Sequence, residues 1–435
     1  MTFDLSMVAD YTSLHLYSAV SAQLFRWNST AGDVCAAACE PAIGLEAGRV
    51  YRFTLAGDLF WQDSTPVSPR DYVRRFEDLF AKKAPVASRF THLRDVTVGV
   101  NGAGKEELIF ALEVPDANFC RKLAHPATGP LSAGAGDQEF PFAAGPFRFA
   151  ALGSAGGTME RTSERMSACH SLKRLNFRFV GDPNEAISLY DHGLVDATCP
   201  ANFPLERVDE FVGRPDFHRY ATTTFFVLIP ASHRAESRPL RRAIASCVDP
   251  ERLTAVAPSG LGRMYSFLDP GSASGPAALS GDGALESVFE SPLRLACDQF
   301  QPNEQILAVI ADELRSKGAV VETVVDDYAM PSKPCDFRLV VMVNSMAYPA
   351  DAYRRIAGAA PFRDNPSLRR EYWKAIEQFD RPDDALGRKS AIRRLDELLW
   401  QELPVIPLAV LHQFGLKREF MEAFSWDAND TWQNI

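Results

Sequence analysis

The chain has 435 residues, of which 46% are hydrophobic and 23% are charged, and its formal net charge is −10. This length predicts two or three domains, and the acidic balance argues against binding to nucleic acid as the main function. The sequence holds no run of about 18 uninterrupted apolar residues, so we expect no insertion into a membrane.

The N-terminal residues and the cysteines indicate a reducing compartment. Residues 1–20 hold no basic region, long apolar core or cleavage site, which predicts that there is no secretion signal. Eight cysteines are scattered along the chain, mostly singly in apolar segments, and are expected to be free thiols. Cys35 and Cys39 could pair, but C-x-x-x-C without a second cluster is a poor zinc signature. We expect a cytoplasmic protein, or a periplasmic one if a signal peptide was removed.

The first elements are weakly marked. The pattern predicts a strand at 2–9, a loop at 11–16 and a short amphipathic segment at 18–27. His15 therefore falls in a loop in this interpretation.

Residues 51–80 carry a stronger pattern. Alternation over 51–55 predicts a half-buried strand, followed by a polar loop at 61–67. Ser68 and Pro69, with an acidic residue at 71, predict the start of a helix. Val73, Phe76 and Phe80 would form the buried face of that helix.

The rest of the chain alternates between strands and helices. Asn101-Gly102 predicts a hairpin, Gly153 to Gly157 predicts another turn, and the order strand–helix–strand over 293–325 predicts a βαβ unit. Predicted strands lie at 96–100, 107–112, 145–149, 175–180, 222–229, 293–297, 320–325 and 337–343, and predicted helices at 184–190, 239–244, 303–314 and 391–399.

The order of these segments resembles the type-5 extracellular solute-binding proteins, which include the oligopeptide- and nickel-binding proteins of ABC importers. Their W-x-D-G-T-P-V loop is matched by residues 61–67, with Ser64 where the family usually has Gly. The residues at 145–147 resemble the family's G-P-Y strand, those at 193–196 its G-x-x-D turn, and those at 403–408 its P-x-I-P-L finish. The resemblance extends over residues 2–430.

The resemblance implies an α/β, two-lobed periplasmic-binding-protein-like fold of the class II, cluster C type, with a ligand cleft between the lobes. Residues 1–225 would form lobe 1, with 45–140 as a subdomain. Residues 226–405 would form lobe 2, and residues 406–435 would return to lobe 1. Such proteins hinge around a ligand and bury it.

One departure from the family concerns the ligand. Peptide binders of this family carry W-x-x-D-Y-P-x-P, and that Asp pairs with the α-amino group of the peptide. Alignment on Tyr348-Pro349 places Ala347 at this position, so the anchor is missing unless Asp351 substitutes. An ammonium group without this partner would cost several kcal/mol. Asn344-Ser345 instead resembles the solute-binding domains of cytoplasmic transcriptional regulators of the sugar-phosphate-stress type.

The chain shows no signature of catalysis or of a bound cofactor. Walker A, Rossmann, G-x-S-x-G and H-E-x-x-H motifs do not occur, and the histidines are not at metal-ligand spacing, so we predict no catalytic residue, metal or cofactor. The resemblance places the first cleft-side loop, the 344–351 segment and the returning strand near a ligand. The ligand contacts predicted on this basis are Tyr11, His15, Asn344, Ser345, Tyr348, Asp351 and His412.

Three functions follow as alternatives. The first is a cytoplasmic, non-transport protein that binds or senses a small polar or peptide-like ligand, and it is expected to be a monomer. The second is a periplasmic importer component for peptides, which would work with an ABC permease. The third is a biosynthetic enzyme that has recruited the fold, although we expect no enzyme. The cleft side chains come from loops, so the sequence does not name the ligand.

Overall fold

The computed structural model describes residues 11–28, 33–40, 43–45, 48–131, 144–162, 172–268, 291–327, 333–344, 348, 350–381, 385–421, 425–426 and 432–433. The strand predicted at 2–9 lies outside these residues. None of the helices in the described part of the chain is long and apolar enough to cross a membrane.

The described strands belong to several separate sheets. They are β1 (Phe25–Asn28), β2 (Asp33–Ala36), β3 (Ile43–Leu45), β4 (Val50–Phe53), β5 (Leu93–Val100), β6 (Glu106–Leu112), β7 (Phe147–Gly153), β8 (Gly156–Arg161), β9 (Arg174–Arg178), β10 (Phe217–Pro230), β11 (Leu261–Arg263), β12 (Leu293–Asp298), β13 (Val321–Asp326), β14 (Phe337–Val343), β15 (Ile406–Leu416), β16 (Ser425–Trp426) and β17 (Trp432–Gln433). The strand orders are β1-β2, β3-β4-β6-β5, β7-β8-β9, β11-β15-β10-β14-β12-β13 and β16-β17.

Helices cover these sheets and connect them. They are α1 (Tyr11–Val20), α2 (Pro69–Ala81), α3 (Phe119–Lys122), α4 (Pro183–Asp191), α5 (Val208–Phe211), α6 (Arg238–Cys247), α7 (Pro250–Thr254), α8 (Asn303–Ser316), α9 (Asp351–Ile356), α10 (Ala360–Arg363), α11 (Pro366–Asp380) and α12 (Ala385–Glu402). Short 3₁₀ turns include Pro85–Phe90 and Pro126–Thr128.

Helix α2 begins where the sequence predicts. The Asp71 carboxylate accepts hydrogen bonds from the backbone N–H and the hydroxyl of Ser68, each at 2.8 Å, and Pro69 occupies the first helical position. Proline is tolerated there because the first N–H groups of a helix have no partner within the helix.

The predicted buried face of α2 is partly wrong. Tyr72, Phe76 and Leu79 are buried, whereas Phe80 is 42% exposed. The helix packs on β5 and β6, where the Phe76 ring meets the Phe110 ring edge-to-face at 5.1 Å. Spacings of four and three residues place the observed set on one stripe, and Phe80 lies beside that stripe.

The loop before α2 contains a strained residue. Asp63 Oδ1 accepts hydrogen bonds from the Thr65 backbone N–H at 2.9 Å and from its hydroxyl at 2.6 Å. Ser64, between them, has φ of 68°. This left-handed region suits glycine, because a Cβ atom there crowds the following carbonyl. The geometry explains why Gly is usual at this position in the family.

The six-stranded sheet is built on two long antiparallel strands. β10 pairs with β15 from Phe217 to Leu228, with a break in register between Tyr220 and Thr224. β12 pairs in parallel with both β13 and β14, and α8 connects β12 to β13, so the predicted βαβ unit is confirmed. One core cluster includes side chains of α4 and of the β12–β14 region. The lobe boundaries at 225 and 405 stay a prediction.

The N-terminal segment differs from its predicted structure. Residues 11–16, predicted as a loop, belong to helix α1, and the only strand in the predicted segment 18–27 is the beginning of β1. Most of the helix is buried against Phe147 and Phe149 of β7. Helix α1 is buried nearly all round, so an amphipathic pattern could not reveal it.

Candidate ligand-binding site

One side of the candidate site is a close-packed pair of backbone segments. Residues 20–23, which begin at the last residue of α1, lie against the turn at 125–129, and we call the two segments the lobe-1 wall. The Ser21 hydroxyl donates to the Pro126 carbonyl at 2.6 Å. A Cβ atom on Gly129 would lie 2.2 Å from Ser21 Oγ, and one on Gly145 would lie 2.3 Å from the Val20 carbonyl carbon. Only glycine allows this approach, which is the physical reason for Gly145 in the G-P-F motif.

A glutamine in the lobe-1 wall has a side chain without a hydrogen-bond partner in the described part of the chain. Gln23 is 0% exposed, and neither its Nε2 nor its Oε1 finds a partner among the described residues. A buried amide left unpaired costs about 1–3 kcal/mol per group. Gln413 in β15 is similar, since its Nε2 donates to Thr224 at 3.1 Å but its Oε1 has no partner there. Such groups are candidates for ligand contacts.

Neither glutamine was among the predicted site residues. The available signal was a lone amide within an apolar run, as in the residues around Gln23 (AVSAQLF) and Gln413 (AVLHQFG). A strongly polar side chain in such a run is either satisfied internally or serves a site. The sequence alone does not separate these two cases.

A buried charged cluster joins the 45–140 segment to the 226–405 segment. Lys122, which is 0% exposed, lies 2.5 Å from Asp116 Oδ2 and 3.1 Å from Asp380 Oδ2. Asn118 donates to Asp380 at 3.0 Å, and the Ala117 backbone N–H donates to the Asp380 carbonyl at 2.8 Å. These contacts hold the end of α11 against the start of α3.

The same cluster includes Tyr348 and Arg354. The Tyr348 hydroxyl donates to the Asp380 carboxylate at 3.0 Å and accepts from Arg354 Nε at 2.6 Å. Burial raises the pKa of Tyr348 well above its usual value. Burial also opposes charge on Asp116, but Lys122 and then His92 outweigh it and hold the pKa of that carboxyl well below its usual range. Asp116 is therefore an ionised carboxylate paired with buried cationic groups, whereas the Tyr348 phenol stays neutral and acts through its hydrogen bonds.

A second ion pair crosses the same junction. Arg89 donates from Nε and Nη2 to the two oxygens of Asp351, at 2.8 and 3.0 Å. Arg355 Nε lies 3.4 Å from Asp351 Oδ2. Burial opposes ionisation, but Arg89 and Arg355 lower the pKa of Asp351 to about 2. This bidentate geometry, with two parallel hydrogen bonds from the guanidinium group to the carboxylate, is stronger than a single arginine–carboxylate contact.

The structure gives several predicted contact residues internal partners. Asn344 donates to the Phe267 carbonyl at 3.2 Å and accepts from the Ala352 backbone N–H at 3.1 Å. His15 is buried within α1 rather than in a loop. Tyr11 is the first residue of α1. Contact of these residues with a ligand stays a prediction.

The remaining predicted residues are dispersed. His412 lies in β15, where its ring is 3.0 Å from Arg219 Nη2, and burial and then Arg219 lower its pKa to about 4. Tyr348 and Asp351 lie in the charged junction described above. Ser345 and Ala347 lie outside the described residues.

Burial keeps at least two of the described cysteines in the thiol form. Those at 35, 39, 120, 247, 297 and 335 are free. Burial raises the pKa of Cys39 to about 12 and that of Cys297 to about 11, which disfavours the reactive thiolate. Within the described ranges, no group of three or more His, Cys, Asp or Glu side chains could hold a metal ion.

A groove of about 350 Å³ lies away from this junction, between α4 and the α7–α8 region. Its lining includes Asn184, Leu205, Ala257 and Gln305. None of its described polar side chains is both buried and without a hydrogen-bond partner. The junction at the lobe-1 wall is therefore the better candidate site.

Solved structures show which known proteins share this fold. The *Escherichia coli* murein tripeptide binding protein MppA matches with a TM-score of 0.81 and 13% identity, over 99% of this chain and 94% of that one. *Haemophilus influenzae* OppA, in complex with RPPGFSPFR, matches with a TM-score of 0.81 and 14% identity, over 96% and 92%. These similarities confirm the two-lobed, mixed α/β fold of periplasmic solute-binding proteins.

The family follows from the sequence match. Residues 45–287, more than half of the chain, match the model of the bacterial extracellular solute-binding proteins, family 5 Middle. The chain therefore belongs to family 5 of the bacterial extracellular solute-binding proteins. Comparison with curated protein sequences finds no significant match.

One similar structure is of an open form. MppA in its unliganded open form matches with a TM-score of 0.62 and 13% identity, over 96% of this chain and 91% of that one.

Proposed function

We propose that this protein closes two lobes on a small polar or peptide-like ligand without the carboxylate that anchors a peptide amino terminus. One observation carries the proposal. The carboxylates of Asp351 and Asp380, on the 226–405 side of the junction, already have cationic partners in Arg89, Arg354 and Lys122. The position that the family resemblance assigns to the anchor is Ala347. An incoming ammonium group would therefore be desolvated without compensation.

We further propose a binding or sensing role outside a transport cycle, in a reducing compartment. Six free cysteines of the described residues support that compartment. The resemblance to the ligand-binding domains of cytoplasmic regulators supports the sensing role. A monomer is sufficient for this role, since the proposed site is built within one chain.

An importer component for peptides is the second candidate. The family and the likeness to peptide-bound OppA favour it. In that case the natural ligand would be a mixture of peptides, and an ABC permease would be the partner.

Native mass spectrometry of the purified protein tests the proposal. We expect a single small co-purified mass that is lost on denaturation, and readdition of that compound should shrink the radius of gyration measured by small-angle scattering. A heterogeneous set of peptide masses would overturn the non-peptide proposal in favour of the importer. Failure of a metabolite extract or a peptide library to change the radius of gyration would overturn ligand-driven closure altogether.

A further inference from the structure

Positive charge is in surplus beside Asp351. Arg89 and Arg355 both contact this one carboxylate, so the three groups carry a net charge of +1. Arg355 also donates from Nη2 to the Val343 carbonyl and is 39% exposed. Its guanidinium group is therefore tied to the start of the segment where the family carries the peptide anchor, and it remains accessible from solvent.

The turn of the lobe-1 wall does not neutralise this surplus. His125 accepts a hydrogen bond from the Ala127 backbone N–H at its Nδ1, at 3.1 Å. Burial and then Arg89 lower the pKa of His125 well below its usual value, so the ring adds no charge at neutral pH. The charged groups that act on this ring are Arg89, Asp351, Arg75 and Arg355, which are three cations and one anion.

One nitrogen of Arg89 has no hydrogen-bond partner among the residues that the structure describes. Arg89 is 6% exposed, and its Nη1 is buried without a partner among the described residues, although Nε and Nη2 hold Asp351. A guanidinium group is a fork of five donors and accepts nothing, so only an acceptor atom can satisfy Nη1. A charged donor left unpaired is costly, and anionic oxygen is its strongest partner.

We propose that the ligand of this junction carries a small oxyanion, a carboxylate or a phosphate group, bound by Arg89 Nη1 and the guanidinium group of Arg355. This inference rests on the proposed function and names the chemical class of its ligand. It also accounts for Ala347, because a carboxylate on the segment that Arg355 contacts would oppose an anionic ligand. The buried amide of Gln23, on the lobe-1 wall, would hydrogen-bond an uncharged polar part of the same molecule.

The first test is titration calorimetry at low ionic strength with sodium phosphate, sodium succinate and choline chloride as probes. We expect binding of phosphate or succinate and none of choline. Which of the two anions binds shows whether the ligand carries a phosphate or a carboxylate group. Arg355→Gln should weaken anion binding about tenfold or more, as loss of a charge-assisted hydrogen bond does. Arg89→Lys, which keeps the charge but removes the fork, should also weaken it.

Arg394→Gln is the matched control. Arg394 is an arginine on the surface with carboxylate partners, Glu371 at 2.6 Å and Glu397 at 2.8 Å, and its replacement should leave anion binding unchanged. Equal anion affinity in Arg355→Gln and the unmodified protein, with both variants folded by circular dichroism, would overturn the inference. So would choline binding in preference to both anions.

A co-purified ligand separates this inference from the proposed function. A neutral or cationic co-purified compound that still closes the lobes would overturn the oxyanion inference and leave the proposed function standing. Anion binding without any change in the radius of gyration would support the arginine site and count against ligand-driven closure.

Discussion

Replacement of Lys122 by methionine should destabilise the protein strongly. Lys122 contacts Asp116 and Asp380, which come from two different segments, and no part of its side chain reaches solvent. Methionine has a similar length and fills the space without a charge. The variant therefore removes the cation and leaves the carboxylates of Asp116 and Asp380 buried without it.

The size of the effect follows from the geometry. At an effective dielectric constant of about 20, contacts at these separations give about 5–7 kcal/mol of Coulombic attraction each. Desolvation of the three groups offsets much of this attraction. Removal of one partner from a buried ion pair usually costs about 3–5 kcal/mol, because the remaining charge has no compensation. Asp380 keeps Arg354 and Tyr348, whereas Asp116 keeps only His92, at 2.7 Å, among the described ion-pair partners, so most of the loss should arise at Asp116.

Urea unfolding followed by tryptophan fluorescence measures this loss. Lys122→Met should lower the free energy of unfolding by about 3–5 kcal/mol. The control is Lys82→Met, which breaks a half-exposed pair with Asp78 at 3.2 Å and should cost less than about 1 kcal/mol. The addition of Asp116→Asn to Lys122→Met should recover part of the stability, because it removes the uncompensated charge.

Two results would refute this reasoning. One is equal stability of Lys122→Met and Lys82→Met. The other is the absence of any recovery in the double variant, since a purely steric loss at position 122 would not respond to the charge at 116.

Three further predictions concern other parts of the chain. Ser64→Gly should raise the free energy of unfolding by about 0.5–1 kcal/mol, because Ser64 has φ of 68°; a lower urea midpoint than that of the unmodified protein would contradict this. A thiol reagent added after denaturation without reductant should titrate all eight cysteines, whereas two fewer would reveal a Cys35–Cys39 disulfide. Because the pKa of His412 falls from 6.5 to about 4 on folding, the unfolded chain binds the extra proton between these values, and stability should rise with pH across that window. His412→Gln should flatten this rise, measured as urea midpoints from pH 4.5 to 7.5, and surface His192→Gln should not; equal slopes in the two variants would count against the assignment.

The sequence predicted elements well where their pattern is local. The start of α2, the hairpin at Asn101-Gly102 and the βαβ unit all depend on turn chemistry or on periodicity over a few residues, and the structure has each of them. Helix α1 was missed because a helix buried on nearly all sides shows no amphipathic period. Phe80 was wrongly assigned to the buried face of α2 because it is apolar and lies next to the buried stripe of Tyr72, Phe76 and Leu79.

The candidate site was harder to predict than the fold. Lys122 and Asp380 are 258 residues apart, and Arg89 and Asp351 are 262 residues apart, so no local pattern brings them together. Asp351 was predicted as a ligand contact, and its partner Arg89 could not be identified from the sequence. Position in the family pattern indicated the 344–351 segment, whereas the unpaired amide of Gln23 became visible only once burial was known.

Titration calorimetry of the unmodified protein with a mixed library of tri- to pentapeptides tests the central claim most directly. The claim is that the site lacks the carboxylate that a peptide amino terminus requires, with Ala347 in the anchor position and Asp351 committed to Arg89. We predict weak binding or none, and a gain of peptide affinity in Ala347→Asp if that position lines the cleft. Micromolar or tighter binding of ordinary free-amino peptides by the unmodified protein would contradict the claim and restore the importer interpretation.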